Sequence, residues 1–184
     1  MKISVFGGAS PKPGEEAYEE ARELGFMLGS HGHTLLTGGY IGVMEAVSKG
    51  ANESGAHVIA STCQEIENLR GARVNRWTKE EWHFETLRER MYALIDKCDA
   101  AIALPGGIGT LAELSVMWNE SIISQRPSRP LILVGQGWQS MIESLVNTNG
   151  KYISVIDQKR VTLVKDVLEA VQLIDQLNAE KAIL

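Results

Sequence analysis

Cysteine is scarce in this chain, a basic excess is absent, and no apolar stretch is long. Cys63 and Cys98 are the only cysteines among 184 residues, and they form no CxxC pair. A disulfide framework needs a denser set, so two scattered thiols read as reduced, in a cytoplasmic protein. No apolar run approaches the ~18–20 residues of a membrane span, which excludes a membrane partner from the reading. Met1-Lys2 leads directly into a short apolar strand, so no signal peptide is expected. The 18 Lys and Arg are outnumbered by 23 Asp and Glu, for a formal net charge of −5. Broad nucleic-acid binding rests on clustered Lys and Arg that neutralise phosphates, so no nucleic-acid partner is expected. A local basic pocket for a single phosphate is still compatible with that balance. Repeats, linkers and low-complexity tracts are missing too, and residues 1–184 read as one domain.

What the chain has is strands alternating with helices. Ile3–Phe6, Thr34–Leu36, His57–Ala60, Ala100–Leu104, Leu131–Val134 and Val161–Val164 are short apolar runs, as strands buried on both faces require. Between them, apolar residues at helical spacing predict helices over Glu15–Leu28, Ile41–Ser54, Phe84–Lys97, Leu111–Ser124, Ser140–Val146 and from the Asp166 cap to Leu177. Residues 61–82 carry Asn68, Gly71 and Asn75 and read as a long loop over the site. The alternation predicts an α/β protein of Rossmann type, an open parallel sheet with helices on both faces.

Glycine falls in one place three times. Gly7-Gly8, Gly38-Gly39 and Gly106-Gly107 each end a strand and precede a helix, so all three lie on the carboxyl edge of a parallel sheet. That edge is where open α/β sheets bind ligands. A helix N-terminus there offers unpaired N–H groups and partial positive charge, suited to a phosphate. Any one of these loops could be only a tight turn; three together point to a ligand edge. Gly42, Gly109, Ser10, Thr37 and Thr110 complete the candidate phosphate- and nucleotide-binding set. None of the loops spells the P-loop or the dinucleotide fingerprint, which argues against ATP hydrolysis and hydride transfer. No lysine stands at any of them, so a pyridoxal cofactor is unsupported.

Pro105-Gly106-Gly107-Ile108-Gly109-Thr110-Leu111-Ala112-Glu113 resembles the PGGxGTxxE motif of the LOG (Lonely Guy) family, often mislabelled lysine decarboxylases. Val5–Ser10 and Thr37–Ala46 are similar to that family's first and second glycine loops, and the likeness covers about residues 3–135. It implies a phosphoribohydrolase that cleaves a cytokinin-like or AMP-like nucleoside 5′-monophosphate to free base and ribose 5-phosphate. It also implies that Arg90 is catalytic, that the partner is a small nucleoside monophosphate, and that the chain forms a homodimer. Leu87 and Met91 stand where the family usually has His and Lys, and Ile108 replaces a frequent aromatic. These differences lie where the base would sit. Relatives on the same framework include a molybdenum-cofactor carrier, so a non-catalytic binder of a nucleotide or phosphorylated pterin is the alternative.

N-glycoside hydrolysis needs an anion near the ribose and a donor for the leaving base. Glu113, read as lying in the first turn of its helix and held ionised by the dipole, fits the first need. Arg90, a fixed cation that keeps its proton, fits the second as a donor rather than an acid. No metal and no cofactor enters this scheme. His31 and His33 lack cysteine or carboxylate neighbours in sequence and read as a helix-to-strand turn. Glu45 is as well explained by an amphipathic helix as by a site. Trp77, Trp82 and Trp118 could cover a base or pack the core.

Overall fold

The computed structural model describes residues 1–123 and 129–181. Seven parallel strands form one sheet: β1 (Lys2–Phe6), β2 (Thr34–Thr37), β3 (Val58–Cys63), β4 (Glu80–Phe84), β5 (Ala100–Ala103), β6 (Leu131–Val134) and β7 (Val161–Val164). Their spatial order is β4-β3-β2-β1-β5-β6-β7, so the winding reverses between β1 and β5. Ile3 pairs with Ala100 and Phe6 with Ala103, which aligns the ends of these two strands. The loops after β1 and β5 therefore flank the switch point, the crevice that open parallel sheets use for ligands.

Helices cover both faces, as the sequence predicts. α1 (Glu16–Ser30), α2 (Val43–Glu53) and α8 (Val167–Lys181) close one apolar core around Ile3, Val5, Leu35 and Ile102. α4 (Leu87–Asp96), α5 (Ile108–Ile123) and α6 (Gln136–Asn149) close the other, around Phe6, Leu36, Ala101 and Leu133. The alternating side chains of each strand thus feed two cores. α1 and α2 touch backbone to backbone. A Cβ on Gly25 would collide with the Val47 carbonyl, and one on Gly50 with the Arg22 carbonyl. Short α3 (Gln64–Arg70) and α7 (Val155–Gln158) complete the chain, with one 3₁₀ turn at Gly150–Tyr152.

The expected loop over 61–82 is corrected. β3 continues to Cys63, α3 follows it, and β4 begins at Glu80, leaving only residues 71–79 irregular. β4 is an edge strand, exposed at Glu80, Glu81 and His83 with Trp82 and Phe84 half-buried, so it lacks the apolar run of a central strand. α3 buries no residue and has no apolar stripe to read. α4 starts at Leu87 instead of Phe84, because Thr86 caps it. Glu89 N–H donates to Thr86 Oγ1 (3.2 Å), and Thr86 N–H donates to Glu89 Oε2 (3.0 Å). α5 starts three residues earlier than expected, at Ile108. Its expected end at Ser124 lies outside the described residues. α6 is longer than expected, running from Gln136 to Asn149.

Candidate functional site

The three glycine loops meet at the carboxyl edge. Gly8 N–H donates to the Pro105 carbonyl (3.1 Å), and Val43 N–H donates to the Gly8 carbonyl (2.9 Å). The first loop is thereby tied to the third and to the start of α2. Contact space sorts the candidate glycines into two groups. A Cβ on Gly7 would strike Val43, on Gly39 the Ala60 side chain, on Gly42 the backbone of Gly8 and Ala9, and on Gly106 the Thr110 side chain. Gly39 and Gly42 also hold positive φ, +78° and +73°, which favours glycine. These positions are glycine because the loops pack on one another. Gly107 and Gly109 are different: no atom lies within 4 Å of a Cβ built at either. Gly8 is intermediate, with its nearest neighbours at 3.4 Å.

Residues 105–109 are exposed, and the first helical bond of α5 runs from Leu111 N–H to the Gly107 carbonyl (3.0 Å). Ile108 and Gly109 hold the opening N–H groups of that helix, which have no intrahelical acceptor. The hydroxyls are placed less uniformly. Ser10 is exposed beside the first loop, whereas Thr37 is fully buried. Thr37 Oγ1 accepts from Gly39 N–H (3.2 Å) and lies 3.2 Å from Ser48 Oγ, bracing the second turn. Thr110 is buried against Gly106.

Arg90 and Glu113 come together beneath these loops. Arg90 Nη1 lies 3.4 Å from Glu113 Oε1, linking α4 to α5. Arg90 is only 5 % exposed, so it is not the solvated helix residue that its neighbours Arg88 and Glu89 are. Its Nε donates to the Ser61 carbonyl (2.9 Å) and Nη2 to the Gly38 carbonyl (3.3 Å), with Met44 Sδ at 3.8 Å from Nη2. Ser61 also holds the backbone, its hydroxyl donating to the Arg90 carbonyl (3.1 Å). A guanidinium has five N–H donors. Among the described residues, the one left without a protein acceptor is the second N–H of Nη1, beside Glu113.

Glu113 is corrected in position. It is the sixth residue of α5, in the second turn, and α5 has no acid in its first turn. Its side chain is 12 % exposed. Burial pushes its carboxyl above the ordinary value, and the Arg90 guanidinium pulls it back only in part. The expected downward pull of the helix dipole is thus not the dominant influence on this carboxyl: desolvation outweighs a dipole that fades beyond the first turn.

The two histidines and Trp118 have structural partners. His31 Nδ1 lies 2.8 Å from Asp175 Oδ2 and His33 Nε2 3.4 Å from Asp175 Oδ1, so the carboxylate absent from their sequence neighbourhood comes from α8. Trp118 lies in the core and donates to the Asp157 carbonyl (2.8 Å). Trp82 stacks under Lys2, and the Trp77 ring carries Arg76 at 4.5 Å and Lys49 at 5.9 Å from its centroid. Glu45 lies in the first turn of α2, half-buried. Cys63 and Cys98 are both buried and free. Sequence reasoning missed Tyr40, Ser61 and Met44 around Arg90. An aromatic inside a glycine loop was the one signal that could have marked Tyr40; a serine carbonyl leaves none.

Known proteins share this chain's sequence family and fold. Over 176 residues, 92 % of this chain and 91 % of the relative, the sequence is 28 % identical to a cytokinin riboside 5′-monophosphate phosphoribohydrolase of Mycobacterium tuberculosis. It is 34 % identical over 132 residues to the enzyme of that description, LOG, from Oryza sativa subsp. japonica, covering 68 % of this chain and 52 % of that one. The fold is also that of the molybdenum cofactor binding protein from Rippkaea orientalis, with a TM-score of 0.74, 24 % identity and 96 % of each chain covered. The molybdenum cofactor carrier protein of Chlamydomonas reinhardtii aligns with the same TM-score and identity over 97 % of this chain and 98 % of that one. No helix among the described residues is long and apolar enough to cross a membrane. The SLOG cluster4 family model matches residues 1–161, and the chain belongs to that LOG-type family.

Proposed function

We propose that the protein hydrolyses the N-glycosidic bond of a nucleoside 5′-monophosphate, releasing free base and ribose 5-phosphate. The observation that carries this reading is the Arg90–Glu113 pair, a buried donor and acceptor 3.4 Å apart beside an open helix N-terminus. The monophosphate lies on Gly107–Thr110, where the start of α5 has space and unpaired N–H groups. Gly8, Ser10 and the Gly38–Gly42 loop form the walls around it. The relatives named as phosphoribohydrolases support the reaction class.

In the reaction, the bond from C1′ to the base nitrogen breaks and its electron pair leaves with the base. A water oxygen bonds to C1′. Glu113 accepts the proton of that water, a task for which a carboxyl raised by burial is better matched than an ordinary one. The free N–H of Arg90 Nη1 donates to the departing base, whose nitrogen gains a proton from solvent. Metal and cofactor have no part in these steps. The reading includes a cytoplasmic homodimer: the far end of α5 leaves Ile122 and Ile123 exposed, apolar surface of the kind a two-fold interface covers.

The test is chromatography for free base released from a panel of nucleoside 5′-monophosphates, adenylate and its N6-modified relatives included, beside Glu113→Ala. Release that disappears in the variant supports the glycosidase. Binding without release from any of them would replace it with a nucleotide or pterin binder.

A further inference from the structure

Tyr40 stands immediately after the positive-φ Gly39 and is only 4 % exposed, although its loop faces the ligand edge. Its hydroxyl accepts from Cys63 N–H (2.8 Å) and donates to the Cys63 carbonyl (3.1 Å), with Glu67 Oε1 at 3.4 Å as a second acceptor. Its own carbonyl accepts from Asn75 Nδ2 (3.2 Å), which also donates to the Gly39 carbonyl (3.0 Å). The residue is thereby pinned at its backbone by the 71–79 segment and at its tip by the end of β3. Between these two anchors the ring face meets the Arg90 guanidinium, whose Cζ lies 5.6 Å from the ring centroid.

Those contacts give Tyr40 a specific effect on the site. The Ser61 and Gly38 carbonyls hold Nε and Nη2 of Arg90. The guanidinium is rigid and planar, so Nη1 leaves Glu113 only if the whole group tilts about the line through Nε and Nη2, and the surface over its face limits that tilt. A buried aromatic face attracts a guanidinium, and its fixed position makes that attraction directional. We propose that Tyr40 is a positioning residue: its ring holds the Arg90 guanidinium in the plane that keeps Nη1 beside Glu113. This rests on the N-glycosidase reading only for its kinetic consequence; the placement of Arg90 is testable without any reaction.

Two ring-less variants, Tyr40→Leu and Tyr40→Met, are compared with Tyr40→Phe, which keeps the ring and removes the hydroxyl. The first readout is the arginine side-chain Nε–Hε signal of Arg90 in ¹H–¹⁵N spectra, assigned by its loss in Arg90→Lys. The bond to Ser61 and the ring above it predict a slowly exchanging, ring-shifted signal in the wild type and in Tyr40→Phe. In whichever ring-less variant folds, that signal moves and exchanges faster. The second readout is base release from the nucleotide that the wild type turns over. There kcat falls about tenfold without the ring while KM stays within about twofold, the size expected of a buried cation–π contact. Tyr40→Phe keeps most of the rate.

An unmoved Arg90 signal in the folded ring-less variants overturns the proposal. So does a Tyr40→Phe that loses as much rate and melting temperature as the ring-less forms, since Tyr40 would then be a strut acting through its hydroxyl. If the wild type releases no base, the reaction reading fails, and the spectra still decide the role of Tyr40.

Discussion

Arg90 Nη2 occupies the volume that a side chain on Gly38 would need. The second glycine loop reads in sequence as a phosphate cradle, yet at Gly38 the absent side chain makes room for the guanidinium. A methyl group there has to displace Arg90 from the Gly38 carbonyl. Gly38→Ala is therefore expected to lose base release by at least the roughly hundredfold typical of a misplaced donor. Chromatography of the products checks it; wild-type turnover in this variant would show that Arg90 need not sit where it does.

Gly107 supplies the contrast. Nothing lies within 4 Å of a Cβ there, so Gly107→Val is expected to melt within a degree or two of the wild type, as surface changes generally do. Its bulk would fill the space at the start of α5. Calorimetric titration with a nucleoside monophosphate should show affinity lost without loss of stability. Unchanged affinity would remove the phosphate from this loop.

The Arg90–Glu113 pair is nearly dry, and breaking it leaves one charge buried alone. Arg90→Ala is expected to cost about 3–5 kcal/mol in urea unfolding as well as turnover. Glu113 also sets the acid side of the rate profile. Burial raises its pKa above the ordinary 4.5, so the acid limb of kcat/KM should lie above that value. Stability follows with the same sign. The proton on Glu113 favours the folded state, so its contribution is present below the unfolded pKa and is lost as pH rises through the folded one.

His33 behaves oppositely. Burial holds its imidazole below 6.5, the Asp175 hydrogen bond opposing, and the charge of the N-terminus adds to the lowering. The unfolded chain takes up that proton first as pH falls. Stability from His33 is thus present above about pH 6.5 and is lost as pH falls through its folded pKa. Thermal melts from pH 7.5 to 5.5, buffer-independent, should decline more steeply in the wild type than in His33→Asn. Parallel slopes would assign the decline elsewhere.

Where α1 crosses α2, Gly25 and Gly50 each face a carbonyl of the other helix. Gly50→Ala removes helix-disfavouring glycine yet forces the helices apart, and overpacking of this sort costs about 1–3 kcal/mol. Urea denaturation would detect it, and a stabilised variant would mean the helices separate freely.

Central strands and long helices were legible because their signals are local. Ala100–Ala103 and Leu131–Val134 are apolar on both faces, and α1 repeats its buried residues at Tyr18, Ala21, Leu24 and Leu28. β4 and α3 were not legible because neither buries a continuous apolar face. The helix start at Thr86 carried its own Thr-x-x-Glu signal and could have been read. The start at Ile108 could not, since Gly107 and Gly109 around it look like loop residues; the resulting shift moved Glu113 from the first turn into the second.

By itself, the sequence determined a parallel α/β fold, three glycine loops on one edge, and Arg90 and Glu113 as candidates, because periodicity, glycine and motif are properties of short stretches. Only the tertiary structure decided that these two residues, 23 positions apart, meet as a buried pair. It alone separated glycines packed against protein from those with open space around them, and it showed burial raising the pKa of Glu113. Those outcomes depend on which elements the sheet order brings together and on how much water they exclude, and neither is encoded in any one segment.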